Sequence, residues 1–149
     1  MFGNILMGLG VMVLCLFVQS LLVAVSVQFY ARHQTAQVAA SFTNTVLLIG
    51  GVMMVLVLGN FIQITIWGAL FVQLGEFESY RTAAYHSAVN FATLGYGDIV
   101  MSERHRVLGP MQAINGVLMV GVSTAVMMAA LQDSIKRTIA QESNNTAKS

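Results

Sequence analysis

The chain has 149 residues, of which 56% are hydrophobic and 9% are charged. Soluble domains carry roughly 25% charged residues, so this composition excludes a soluble enzyme with an ordinary polar surface and also a disordered tail. The net charge of +1 gives no basic surface for nucleic acid, and a single cysteine, Cys15, excludes an intrachain disulfide. What remains is an integral membrane protein.

Three long intervals of the chain contain no charged side chain: residues 1–31, 34–75 and 107–132. Each is longer than the roughly 20 apolar residues that a helix needs to cross the hydrocarbon core of a bilayer. We therefore predict an all-α membrane protein. Its three transmembrane helices are expected at about Ile5–Tyr30, Val46–Leu74 and Met111–Leu131.

Polar residues separate and follow these spans. The stretch from Ala31 to Asn44 predicts a short polar turn, and the mixed-charge stretch Asp133–Ser149 predicts a tail after the third helix. The N-terminus lacks the basic residues of a signal peptide, and its apolar stretch is too long for one. We therefore expect the first span to be retained.

The segment between the second and third spans, Glu76–Pro110, is too short and too polar to cross a membrane twice. Within it, Tyr80–Ala92 is mostly apolar or small and predicts a helix of roughly 20 Å, about half a bilayer. A glycine-rich stretch follows, which is typical of a re-entrant loop. Irregular backbone at membrane depth is tolerated only inside protein or beside a water-filled cavity. The segment therefore predicts a cavity that partner chains help to enclose.

The residues after this half-length helix are Thr93-Leu94-Gly95-Tyr96-Gly97-Asp98. They resemble the selectivity-filter signature of the potassium channel superfamily, in which Val is common at the position of Leu94. The flanking order is also similar to that family: an outer helix, a pore helix, the filter and an inner helix. The resemblance covers about Val46–Lys136 and does not include the first span.

The resemblance implies a division of the chain into three parts. We expect an additional helix and linker at residues 1–45, a pore domain at 46–136 and a short cytoplasmic tail at 137–149. Within the pore domain we expect an outer helix at 46–74, a pore helix at 80–92, a filter at 93–98 and an inner helix at 110–131. The family assembles four such chains around one pore, so we expect a homotetramer.

The residue types of the motif suit ion conduction. Potassium must lose its water to enter a narrow filter, and carbonyl oxygens must replace that water. A row of inward carbonyls needs backbone that alternates between right- and left-handed conformations, and glycine adopts the left-handed one at little cost. This requirement explains Gly95 and Gly97.

The resemblance assigns roles to individual residues. The carbonyls of Thr93, Leu94, Gly95 and Tyr96 would line four stacked K⁺ sites, and the Thr93 hydroxyl would add the innermost ring. The Tyr96 side chain would pack outward against the pore helices. Asp98 would attract cations at the outer mouth.

The sequence departs from the family pattern beside the filter. Val89 stands where some channels have a Glu that pairs with the Asp after the filter, and Ala92 replaces a frequent Thr. His86 is interpreted as a packed or interfacial histidine, with pH sensing as the alternative.

The inner helix contains two interior glycines. Pro110 suits its first turn. By the resemblance, Gly121 is the better candidate for a gating hinge. Gly116 is the second candidate, or a point of close helix approach. Ala125 and Ala129 are one turn apart and are expected to line the inner cavity.

Several features of other membrane proteins are missing from the sequence. No span carries a ladder of Arg or Lys, so no voltage sensor is expected. No catalytic constellation or metal-ligand cluster is found, so we expect neither an enzyme nor a cofactor. The expected partners are further copies of the chain, membrane lipids and K⁺.

The resemblance also gives an orientation in the cell (inner) membrane. With the filter mouth outside, the N-terminus lies outside and the C-terminus in the cytoplasm. Four Lys and Arg residues then lie inside and three outside, in agreement with the positive-inside tendency.

The leading functional hypothesis is a potassium-selective channel. Three alternatives remain open: a weakly selective cation channel on the same scaffold, a non-conducting regulatory subunit and a subunit of a potassium transporter. Transporters that are similar to these channels carry four degenerate pore loops in one chain, whereas this chain has a single loop with both filter glycines.

Overall fold

The computed structural model describes residues 2–35 and 42–146. In that part of the chain it has four helices and no strand. The helices are α1 (Phe2–Thr35), α2 (Phe42–Gln73), α3 (Tyr80–Phe91) and α4 (Leu108–Thr146). Within the described residues, three segments are long and apolar enough to cross a membrane: Phe2–His33, Thr43–Gln73 and Leu108–Ala140. The all-α membrane fold class is thus confirmed.

The first two spans agree with the prediction and are somewhat longer. Helix α1 continues past Tyr30 to Thr35, and α2 begins at Phe42. The turn predicted for the stretch from Ala31 to Asn44 therefore overlaps both helix ends, and residues 36–41 of it lie outside the described residues.

The inner helix is longer than expected. We predicted its end at Leu131, but α4 continues to Thr146 through most of the expected tail. Residues 132–146 contain no Gly or Pro, so nothing in the backbone stops the helix there. An ion pair one helical turn apart, between Arg137 Nε and Asp133 Oδ2 at 2.9 Å, also supports this extension.

Helix α1 packs onto the other helices and does not stand apart from them. It contacts both α2 and α4, and these two helices also contact α3. The buried core joins all of them through six side chains: Cys15, Trp67, Phe71, Ala83, Met101 and Leu108. The additional first helix is therefore part of the same packed unit.

The short helix α3 is held by two close backbone approaches. A Cβ on Gly68 would lie 3.2 Å from the Cα of Ala84, so α2 packs against the middle of α3. A Cβ on Gly116 would lie 2.0 Å from the carbonyl oxygen of Phe91, the last residue of α3. The close approach predicted as one role of Gly116 is therefore observed.

We predict that Gly116→Ala destabilises the protein, because the added methyl group would overlap the backbone carbonyl of Phe91, so the end of α3 and α4 must move apart. Overpacking of this kind costs about 1–3 kcal/mol. Thermal unfolding of the purified protein in detergent should show a lower Tm.

Gly121→Ala is the matched control in the same helix. Nothing lies within 4 Å of a Cβ at Gly121, and alanine favours a helix interior over glycine by about 1 kcal/mol. Its Tm should equal or exceed that of the unmodified protein. Equal Tm values for the Gly116→Ala variant and the unmodified protein would contradict the packing described here.

Candidate functional site

The candidate site begins with α3, whose start is fixed by a cap. Ser79 is the N-cap residue, and its hydroxyl accepts a hydrogen bond from the backbone N–H of Thr82 at 3.2 Å. The helix has 12 residues, which corresponds to about 18 Å. This agrees with the half-length helix predicted for Tyr80–Ala92, with Ala92 as its C-cap.

The end of α3 coincides with the start of the glycine motif. The Thr93 N–H donates to the Asn90 carbonyl at 2.9 Å, and the Leu94 N–H donates to the Val89 carbonyl at 2.9 Å. Thr93 itself has a φ of 59°. Two such bonds around a left-handed residue form a Schellman motif, in which glycine is the usual left-handed residue. A β-branched residue in this conformation is rare and strained.

Positive φ recurs at every second residue of the motif. Thr93, Gly95 and Gly97 have φ values of 59°, 56° and 72°, whereas Leu94 and Tyr96 do not have positive φ. The sign of φ therefore alternates along the motif, and such alternation aims neighbouring peptide groups toward one side, as in the N–H concavities called nests. The left-handed conformations expected at the two glycines are confirmed. The left-handed conformation of Thr93 was not predicted, because it follows from the hydrogen bonds that end α3 and not from the residue type.

The motif lies on the surface of the single chain. All residues from Ala92 to Asp98 are exposed, including the large side chains of Leu94 (54%) and Tyr96 (64%). Within its own chain, Tyr96 therefore does not have the packing against a pore helix that the resemblance implies.

Asp98 is tied back to α3 by a tyrosine. The Tyr85 hydroxyl donates to Asp98 Oδ2 at 2.7 Å. This hydrogen bond to a carboxylate, with a smaller contribution from burial, raises the pKa of Tyr85. Val89, the position of the missing carboxylate, is buried. Tyr85 is thus the residue of α3 that binds Asp98. The two residues are 13 positions apart, so no local sequence pattern predicted this hydrogen bond.

His86 is a packed histidine, as the first interpretation held. Its Nδ1 lies 3.0 Å from the carbonyl oxygen of Ile99, and its Nε2 lies 2.8 Å from the amide nitrogen of Asn90. Its ring also contacts Phe71 and Phe77. Burial lowers the pKa of His86, so the neutral ring holds the segment after the motif against α3.

A second buried cluster anchors the segment between the motif and α4. Glu76 Oε2 accepts from the Ser102 N–H at 2.6 Å, and Glu76 Oε1 accepts from the Ser102 hydroxyl at 2.6 Å. The Nδ1 atom of His105 lies 2.5 Å from Glu76 Oε1, and the two side chains are only 8% and 5% exposed. Burial acts to raise the pKa of Glu76, but the hydrogen bonds from Ser102 and His105 outweigh it and lower that pKa.

The back of α3 is held by polar side chains of α4. Gln112 Nε2 donates to the carbonyl oxygen and the hydroxyl of Ser87, at 3.0 and 2.5 Å. The Ser87 hydroxyl donates in turn to the carbonyl of Ile64 at 2.7 Å. Helices α2, α3 and α4 are therefore linked directly behind the motif.

The residues predicted to line a central cavity are exposed on α4. Ala125 and Gly121 are both exposed, as the surface of a shared cavity requires. Ala129 instead contributes to a lateral cavity of about 230 Å³ between α1, α2 and α4. The facing of Ala125 and Ala129 toward a central axis stays a prediction. Among the described residues, no group of three or more His, Cys, Asp or Glu side chains could hold a metal ion.

We predict that acid destabilises the protein through Glu76. Its pKa is lowered in the folded state, so its stabilising contribution is present above the ordinary value of 4.5 and is lost as the pH falls through the lowered pKa. Glu76→Gln should therefore lower the Tm at pH 7 and reduce the loss of Tm between pH 7 and acid. The measurement is thermal unfolding in detergent across this pH range.

Glu78→Gln is the control, because Glu78 is an exposed carboxylate in the same segment. It should keep the pH dependence of the unmodified protein. An unchanged pH dependence in Glu76→Gln would show that this cluster does not stabilise the fold.

Comparison with known proteins gives one match. A family model described as "Ion channel" matches residues 53–133, just over half of the chain, from within α2 through the motif to α4. No curated protein and no solved structure was found to match. The matched region contains the half-length helix, the alternating motif and the first part of the long helix that packs on both. The chain therefore belongs to the ion channel family.

Proposed function

We propose that the chain forms a homotetrameric potassium-selective channel that passes K⁺ passively through a filter of backbone carbonyls. The observation that carries this proposal is the recurrence of positive φ at Thr93, Gly95 and Gly97. Parallel peptide groups are what a column of carbonyl ligands requires, and such ligands replace the hydration shell of K⁺. The carbonyls of Thr93, Leu94, Gly95 and Tyr96 would form the ion sites.

The exposed surface of the motif supports assembly from several chains. A ring of ligands around an ion needs walls on all sides, and each chain contributes one strand. Leu94 and Tyr96 expose large apolar side chains next to that strand, and neighbouring copies would cover them. The homotetramer is the assembly that the potassium channel resemblance implies.

The electrostatics of the site favour a cation at both ends of the filter. Helix α3 ends at Phe91 with Ala92 as its C-cap, directly before Thr93. The C-terminal end of a helix carries roughly half a negative elementary charge, and four such ends would face the inner cavity. At the outer end, the Asp98 carboxylate is held near the mouth by Tyr85 and would attract cations before they enter.

The proposed location of the protein is the cell (inner) membrane, with the filter mouth and the N-terminus outside. The long C-terminal end of α4 would then project into the cytoplasm, with Gly121 as the hinge candidate above it. Membership of the family supports ion channel activity. Selectivity for potassium is the further proposal, and it rests on the motif.

The filter proposal makes Gly97→Ala a direct test. A side chain at φ 72° is strained even though space is open around Gly97, so the backbone there should leave its left-handed conformation. We expect proteoliposomes with this variant to lose the preference for K⁺ over Na⁺ uptake. The variant should elute at the size of the unmodified assembly, because no packing contact is lost.

Gly50→Ala serves as the matched control, since it adds the same methyl group to a helical glycine with open space and without positive φ. It should keep the selectivity of the unmodified protein. Normal selectivity in Gly97→Ala would refute the filter assignment. Equal K⁺ and Na⁺ uptake by the unmodified protein would favour the weakly selective channel, in which Leu94, Val89 and Ala92 alter the packing behind the filter.

A further inference from the structure

The lateral cavity of about 230 Å³ lies near the end of α1. Val52 of α2 and Ala130 of α4 are buried at its bottom, whereas Val27 of α1 and Ala129 of α4 are exposed at its opening. Almost all of its lining consists of carbon atoms. An apolar cavity of roughly 150 Å³ already binds benzene and stays free of water, so the lateral cavity has room for a segment of a hydrocarbon chain.

The opening of the cavity lies at membrane depth. Val27 belongs to the candidate span Phe2–His33, and Ala129 belongs to the candidate span Leu108–Ala140. The charge-free intervals around them end at residues 31 and 132, so the cavity lies just inside the end of the apolar part of both helices. An apolar opening at this depth admits hydrocarbon in preference to water.

Close contacts next to the cavity hold the three helices together. A Cβ on Gly51 of α2 would lie 2.9 Å from the ring of Phe29, so α1 and α2 approach closely beside the cavity. The Tyr30 hydroxyl lies 3.1 Å from Asp133 Oδ2 and 2.8 Å from the Ser134 hydroxyl. This contact joins α1 to α4 where their apolar segments end. The spacing of the helices around the cavity is therefore fixed at its edges.

Two cations of α4 lie on the same helix face as the cavity. Lys136 and Arg137 follow Ala129 and Ala130 by seven positions, which is two helical turns or about 10 Å. Both are exposed, and helical side chains lean toward the N-terminus of their helix, which is the direction of the cavity. Asp133 is the one carboxylate between them and the cavity, and it pairs with Arg137 at 2.9 Å. The headgroup region adds roughly 5–8 Å to each side of the hydrocarbon core, so the two cations reach the depth of lipid phosphates.

We propose that the lateral cavity holds the upper part of one acyl chain of an anionic phospholipid, whose phosphate lies beside Lys136 and Arg137. The apolar lining accommodates the chain, and the cations select the headgroup. Arg32, in the last turn of α1, adds positive charge at the same end of the helices. Helix α1 is absent from the two-helix pore of the resemblance and supplies one wall here, so the additional helix creates the lipid site. The inference does not depend on which ion the protein passes.

The test is native mass spectrometry of the purified protein in detergent, with added dioleoyl phosphatidylglycerol or dioleoyl phosphatidylcholine. The two lipids have the same chains and differ in net charge, and we expect tighter binding of the anionic one. Lys136→Gln should lower the affinity for phosphatidylglycerol by about fivefold, which is the effect of one basic residue near a membrane surface. It should leave the affinity for phosphatidylcholine unchanged. Arg81→Gln is the control, because it removes an exposed cation from α3 and should change neither affinity.

Two variants fill the cavity from different helices. Ala129→Leu and Val27→Phe should each lower the affinity for both lipids by about tenfold or more, because the contacts of the lining with several methylene groups are lost. Ala24→Leu is the matched control, since Ala24 is exposed on α1 and does not line the cavity. It should bind both lipids as the unmodified protein does.

The other outcomes would overturn the proposal. Unchanged lipid binding in both filled variants would show that the cavity is not the lipid site. If these variants also formed a smaller assembly, a neighbouring copy of the chain would be the occupant. Equal affinities of the unmodified protein for the two lipids would contradict the role of the cations. A protein that passes K⁺ current but retains neither lipid would overturn this inference and leave the proposed function standing.

Discussion

Helix α3 ends directly before the glycine motif, and the way in which it ends decides what the following backbone can do. The last turn of a helix leaves carbonyl groups that have no partner within the helix. The N–H groups of Thr93 and Leu94 satisfy two of them, which forces Thr93 into the left-handed conformation. The alternation then continues at Gly95 and Gly97, because glycine adopts the left-handed conformation at little cost in free energy. The termination of one helix and the start of the proposed filter are a single structural event.

The surrounding contacts keep this strained residue in place. Gly116 allows α4 to press on the Phe91 carbonyl, and Gln112 binds Ser87 behind the helix. In front, Tyr85 holds Asp98 and His86 holds Ile99, so the segment that leaves the motif is bound to the helix that enters it. Strained backbone persists when its surroundings overdetermine it, and here both ends of the motif are fixed from the same short helix.

The sequence predicted the features that depend on local patterns. Charge-free intervals identified the three spans, and half-length apolar character identified α3. The glycine spacing indicated the left-handed positions at Gly95 and Gly97. Contacts between distant parts of the chain could not be predicted. The pairing of Glu76 with His105 spans 29 positions and that of Gln19 with Ser123 spans 104. Both depend on how the helices pack. The end of α4 was missed because mixed charge was interpreted as a tail, although such residues also form an exposed helix.

We propose that the alternating backbone at Thr93–Gly97 makes a filter selective for K⁺. The most direct measurement is the reversal potential of purified protein in a planar bilayer, with K⁺ on one side and Na⁺ on the other. We expect a reversal close to the K⁺ equilibrium potential. A clear current that reverses near zero would contradict selectivity, although the pore itself would remain.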